Sequence, residues 1–148
     1  MVSEKIVINA PPEVVFEVLR AQRNTDDKQR QLESFNGKVA IINENLENVP
    51  MYGKVNCVWQ ETEDPYTRID FKMLSSTKFK ESHGAMILTQ GQDGKTTTLE
   101  LQVQLDPGIT IPFAAEITKR TTSQDAKDRL GKIKLLAEEK ASTRQAPC

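Results

Sequence analysis

The only histidine in the chain is His83, and Glu81 shares its parity in a strand-like stretch. Side chains two apart on a strand point to the same side, so a carboxylate there could orient an imidazole for proton transfer. No Ser, Cys or Asp stands at a spacing that would complete a nucleophile and base. His83 and Glu81 are therefore the only acid/base candidates that residue types nominate. A structural or solvent-facing histidine is the competing reading. A glycine-rich phosphate loop, a His-Glu zinc motif, paired cysteines and a serine nucleophile elbow are all missing, so no metal or cofactor is expected.

A second kind of chemistry is the binding of an apolar molecule. Trp59, Phe71, Met73, Met86 and Leu101 are large side chains within strand-like alternations. Thr118, Thr122 and Ala126 recur on one face of the long C-terminal stretch. Large sheet residues facing small helix residues would leave free volume, and ligand pockets are mostly apolar with a few polar groups. The threonine hydroxyls would either orient a ligand oxygen or bond back to the helix backbone. The alternative for each large residue is that it fills the core.

These residues need elements to position them. Residues 4–9 alternate and read as a first strand. Asn9-Ala10-Pro11-Pro12-Glu13 then turns the chain into a helix buried through Val14, Val15, Phe16, Val18 and Leu19. Proline at the entry and Glu in the first turn suit a helix N-terminus. A second short helix is expected over 26–34, anchored by Leu32 and ended by Asn36-Gly37. Strands follow at 38–43, 51–61, 66–75, 79–90 and 97–105, with Asp93-Gly94 as a hairpin centre. Consecutive hairpins imply an antiparallel meander with one apolar face.

Only the stretch 112–141 is long enough to cover that face. It opens on Pro112, and about thirty helical residues span roughly 45 Å. Leu130, Ile133 and Ala137 make its C-terminal half apolar, while Ala115, Thr118, Thr122 and Ala126 keep the N-terminal half small. Either the helix is continuous or bent, or a Ser/Thr cap at Thr121-Thr122-Ser123 starts a second one. Residues 142–148 read as a tail after a single domain over 1–141.

Composition narrows the function classes. With 148 residues, 37% hydrophobic and 28% charged, the chain fits one domain with a modest core. A net charge of −1 offers no global attraction to nucleic acid. No run approaches the roughly 18 apolar residues of a membrane span. The N-terminus lacks a signal-peptide core, which makes a cytoplasmic protein the default expectation.

The front segment, Lys5-Ile-Val-Ile-Asn-Ala-Pro-Pro-Glu-Val-Val-Phe-Glu-Val-Leu19, resembles the START-like superfamily (SRPBCC, polyketide cyclase/dehydrase and lipid transport). Residues 91–105 look like that superfamily's penultimate hairpin, and 129–138 resemble the end of its C-terminal helix. The resemblance implies an α+β helix-grip fold: a curved antiparallel sheet, here of six or seven strands, wrapped around a long C-terminal helix, with two short helices after the first strand. It also implies an apolar cavity holding a lipid, sterol, polyketide or quinone. After Leu19 the chain departs from many relatives, with Ala21-Gln-Arg-Asn-Thr-Asp-Asp27 replacing the usual aromatic and proline residues.

The leading expectation is a non-enzymatic protein that binds or carries a small hydrophobic ligand, lipid-like or aromatic, between sheet and helix. The alternatives are a cyclase or dehydrase using the same cavity with His83 and Glu81, and a protein-interaction module.

Overall fold

The computed structural model describes residues 2–24, 29–49, 51–108 and 113–145. Strand β1 (Val2–Ile8) is followed by helix α1 (Pro12–Asn24) and then by six strands. These are β2 (Arg30–Phe35), β3 (Val39–Val49), β4 (Gly53–Asp64), β5 (Arg68–Ser76), β6 (Glu81–Gln90) and β7 (Thr97–Asp106). Helix α2 (Ala114–Gln145) closes the chain. The strands form one antiparallel sheet in the order β1-β7-β6-β5-β4-β3-β2. The meander runs from β2 to β7, and β1 pairs with β7 at its end. The sheet grips α2, which is a helix-grip fold.

Helix α1 starts where the sequence places its prolines. The Pro11 carbonyl accepts from the N–H groups of Val14 and Val15, at 3.0 and 3.2 Å, and so closes the first turn. The buried Thr97 hydroxyl donates to the Ala10 carbonyl at 2.8 Å and holds the β1–α1 junction against β7. Poor helix formers such as Val14, Val15 and Val18 are all buried, so packing stabilises this helix more than propensity does.

The core lies under the C-terminal half of α2. Leu130, Ile133 and Ala137 pack with Phe16 and Leu19 of α1 and with Ile8, Met86, Leu99 and Leu101 of the sheet. Burying side chains such as Phe16, Leu130 and Ile133 contributes roughly 1.5–3 kcal/mol each. Lys134 and Glu138 of α2 also clamp the end of β1. Lys134 donates to the Val7 carbonyl at 3.0 Å, and the Asn9 N–H donates to Glu138 at 2.8 Å.

One expected element is different. Where a second short helix is expected over 26–34, the described part is strand β2, and residues 25–28 lie outside the described residues. Arg30 pairs with Glu44, Leu32 with Ile42 and Phe35 with Ala40, with a bulge at Glu33. The physical reason is the turn chemistry. Asn36-Gly37 closes a hairpin instead of ending a helix: Gly37 has φ +96°, and the Asn36 side chain accepts from the N–H groups of Lys38 and Val39 at 3.0 and 2.8 Å. An exposed polar segment beside a free strand edge gains a full ladder by pairing with it.

Helix α2 is uninterrupted from Ala114 to Gln145, so Thr121-Thr122-Ser123 lies within it and starts no second helix. It runs four residues beyond position 141. Pro112 and residues 146–148 lie outside the described residues.

Candidate ligand-binding site

Over the N-terminal half of α2 the interior is not filled. A cavity of about 460 Å³ lies between this half and the inner face of the sheet. Its helix wall is Ile117, Thr118, Thr121, Thr122 and Asp125, spaced three and four residues apart on one side of the helix. The floor is Trp59 from β4, Ser82 from β6, and Val103 and Leu105 from β7. The mouth is the β3–β4 hairpin, with Leu46, Glu47, Met51 and Tyr52, together with Phe79 just before β6.

Each part of the wall has a local cause. The hairpin is a turn with Tyr52 N–H bonded to the Val49 carbonyl at 3.0 Å. Asn48, Met51 and Gly53 have φ values of 57°, 72° and 72°. Left-handed Met51 is unusual for a bulky side chain and is held where it lines the mouth. The Tyr52 hydroxyl donates to the Pro107 carbonyl at 2.9 Å, and its ring meets Phe79 edge-on at 5.1 Å. These contacts tie the hairpin tip to the end of β7. The floor is fixed by Trp59, whose indole N–H donates to Glu44 at 3.1 Å while its ring meets Phe71 edge-on at 5.9 Å.

The hydroxyls of the helix wall have no side-chain partner among the described residues. Thr143, near the end of α2, bonds back to the Glu139 carbonyl at 3.0 Å. Thr118, Thr121 and Thr122 make no side-chain hydrogen bond among the described residues, and neither does Ser82, which is 2% exposed. Burial, and next the nearby Asp128 charge, hold the Asp125 carboxyl above its ordinary value. A smaller cavity of about 230 Å³, bounded by Val2, Ala115 and Lys119, shares Val103, Leu105, Thr118 and Thr122 with the larger one. The small-residue stripe of α2 therefore has space on both sides.

Beyond Trp59 the inner face turns ionic. Glu63 is buried and takes Arg20 at 2.7 Å and also Arg23, tying β4 to α1. Arg30 lies 3.5 Å from Glu61. Burial lowers the Arg129 guanidinium from its usual value and Arg30 adds to this, against the raising fields of Glu61 and Glu44. It remains a cation, as guanidinium groups do in proteins. Cys57, also inward, is a buried thiol pushed up by burial, which makes it a poor nucleophile.

The candidates from the sequence divide into three groups. Trp59, Thr118 and Thr122 line the large cavity. Met86, Leu101 and Ala126 are buried in the core beneath the other half of the helix. Phe71 braces Trp59 and packs against that core, and Met73 stands opposite Trp59 in the β4–β5 ladder.

His83 and Glu81 are placed apart from all of these. Both are exposed, they lie outside the cavity lining, and His83 Nδ1 is 3.6 Å from Glu81 Oε1. Their alternation with inward Ser82 and Gly84 puts them on the outer face. Sequence reasoning missed Tyr52, Phe79, Ser82 and Asp125. Asp125 did carry a signal, because 118, 121, 122 and 125 follow helical spacing.

The family profile described as "Polyketide cyclase / dehydrase and lipid transport" matches residues 1–138. The chain belongs to this family. Among solved structures, the Zhui aromatase/cyclase of a Streptomyces species is similar with TM-score 0.65 and 15% identity, covering 98% of this chain and 94% of that one. A START superfamily protein from Mycobacterium smegmatis has TM-score 0.64 and 14% identity, covering 91% and 97%. A Thermus thermophilus protein has TM-score 0.62 and 20% identity, covering 98% and 99%. At these identities the likeness shows the shared fold. A comparison with curated proteins finds no match. Like the family in general, this polyketide cyclase/dehydrase and lipid transport member is a helix-grip domain. None of its described helices is long and apolar enough to cross a membrane.

Proposed function

We propose that this protein binds or carries a small, largely apolar molecule in the 460 Å³ cavity beneath the N-terminal half of α2. One observation carries the reading: that half presents threonine hydroxyls with no partner among the described residues to an open space walled by Trp59, Tyr52, Phe79, Val103 and Leu105. A space of this size and lining is in the usual range of small-molecule sites. The family description, which names lipid transport beside cyclase and dehydrase, supports the same reading.

The enzymatic alternative built on His83 and Glu81 has less support, because both face solvent away from the cavity. An interaction module would sit better with a filled core than with this one.

Native mass spectrometry of the purified protein tests the proposal. A co-purifying apolar molecule, lost on Thr122→Leu, is the expected result. A protein that stays ligand-free after exposure to lipid and aromatic extracts contradicts it.

A further inference from the structure

The larger cavity has an uneven charge. Its lining includes two carboxylates, Asp125 on the helix wall and Glu47 on the hairpin at the mouth. Among the described residues no Lys, Arg or His lines it; the inward base of α2 nearest in sequence, Arg129, lies one turn further on, in the fields of Glu61 and Glu44. Asp125 makes no hydrogen bond or ion pair with a described residue, and the charge acting on it most strongly is the like charge of Asp128. The same chamber holds three aromatic side chains, Tyr52, Trp59 and Phe79. The hydroxyls of Ser82, Thr118, Thr121 and Thr122 are free to accept N–H bonds or to leave a methylated nitrogen unopposed.

Resting on the binding reading above, we infer that the ligand is an apolar molecule carrying a positively charged nitrogen, held by Asp125 and Glu47 against the aromatic walls. A carboxylate ligand brought into the chamber would meet two like charges and no counter-ion, and desolvating it there is unfavourable. A neutral alcohol would use only the hydroxyls. An ammonium group matches the carboxylates and the aromatic rings of the lining together. It neutralises Asp125, is attracted to the negative faces of the rings, and leaves its apolar body for Val103, Leu105 and Ile117. Partial burial first, and the like charge of Asp128 second, raise the Asp125 carboxyl, as expected of an anion site without its cation.

Three probes with one tail and different heads test the assignment: decyltrimethylammonium, decanol and decanoate. Binding is read from the emission of Trp59, the single tryptophan of the chain, which lines the cavity. The ammonium is expected to bind about tenfold more tightly than decanol, and decanoate more weakly than either. The double variant Asp125→Asn, Glu47→Gln is expected to remove the preference, bringing the ammonium to the affinity that decanol has for the same variant. Both substituted positions are exposed, so the fold is not at stake. Decanol binding without an ammonium preference, decanoate binding as tightly as the ammonium, or a preference that survives the double substitution overturns the charge assignment alone. Failure of all three probes to bind overturns it together with the binding reading.

Discussion

The indole N–H of Trp59 donates to the carboxylate of Glu44, 3.1 Å away across the β3–β4 ladder. The bond turns a large aromatic side chain into a fixed floor. Glu44 stands next to Trp59's own partner, Ile42, and on the same inner face. With Phe71 edge-on behind it, the indole has little freedom to fall into the cavity.

Removing that bond frees the floor. Glu44→Ala is expected to cost about 1 kcal/mol of stability, the net worth of one partly buried hydrogen bond. It should also broaden and red-shift Trp59 emission and weaken ligand binding about threefold to tenfold. Chemical denaturation and a fluorescence titration on the same variant check both effects.

Filling the cavity should separate binding from folding. Thr118 and Thr122 line both the large and the small cavity. Leu at either site occupies empty space and buries more apolar area, so stability should hold or rise by about 1 kcal/mol. Ligand binding should fall at least about tenfold. Thermal unfolding beside a binding titration measures the contrast, and a variant that loses both together contradicts the assigned space.

The buried Glu63 cluster and the exposed Glu81–His83 pair should differ sharply in their worth to stability. Glu63 has no exposed side-chain surface and holds Arg20 and Arg23. Glu63→Ala removes the buried carboxylate that binds both guanidinium groups and is expected to cost about 3–5 kcal/mol. Glu81→Ala and His83→Ala act on exposed side chains, where changes stay within about 0.5 kcal/mol. They should also leave ligand binding as it was. Urea unfolding of the three variants gives the ranking.

Acid titration should show two carboxylates of opposite sign. Asp125 has its folded-state value raised, by burial first and Asp128 second. A raised acid favours the fold when protonated, so its contribution is present below the unfolded value and lost as pH rises through the folded one. Asp125→Asn should therefore melt higher than the parent at pH 7, with the gap closing near about pH 3. Glu138 is lowered, first by its hydrogen bond to Lys134 and then by the Asn9 N–H. Its contribution is present above the ordinary glutamate value and lost as pH falls through the folded one. Glu138→Gln should thus destabilise at pH 7 and hardly at all in strong acid. Calorimetric melting temperatures across this range decide both signs.

The fold was readable because its signals are redundant. Alternation in β7 places Thr97, Leu99 and Leu101 inward, and the structure buries all three. The uneven face of the last helix likewise matches a packed half and an open half. Strand β2 was unreadable for a physical reason. Charged residues with few apolar anchors suit an exposed helix as well as an edge strand, and only the ladder to β3 decides.

Within the site, parity counting broke down at two points. Tyr52 counts as outward when the strand is taken to begin at Met51. Strand β4 begins at Gly53, and the left-handed Met51 swings Tyr52 toward the mouth. The parity of Val55, Cys57 and Trp59 continues to Glu61 and Glu63, and both are buried. Charge at an inward position is easily read as a strand end, because the arginines that accept it come from α1 and β2, distant in sequence. Gly84 made β6 ambiguous for a related reason. The Phe71 ring covers it from the neighbouring strand, only 2.7 Å from where a Cβ would stand, and no local pattern announces that.

On the proposed function, the space beneath the N-terminal half of α2 holds an apolar ligand. Trp59 reports on it directly, so the most direct measurement is a titration of the protein with decanol followed by tryptophan emission. A saturable blue shift at one ligand per chain, abolished by Thr122→Leu, is the predicted result. Emission that stays constant up to the solubility of decanol, or a shift that persists unchanged in Thr122→Leu, would contradict it.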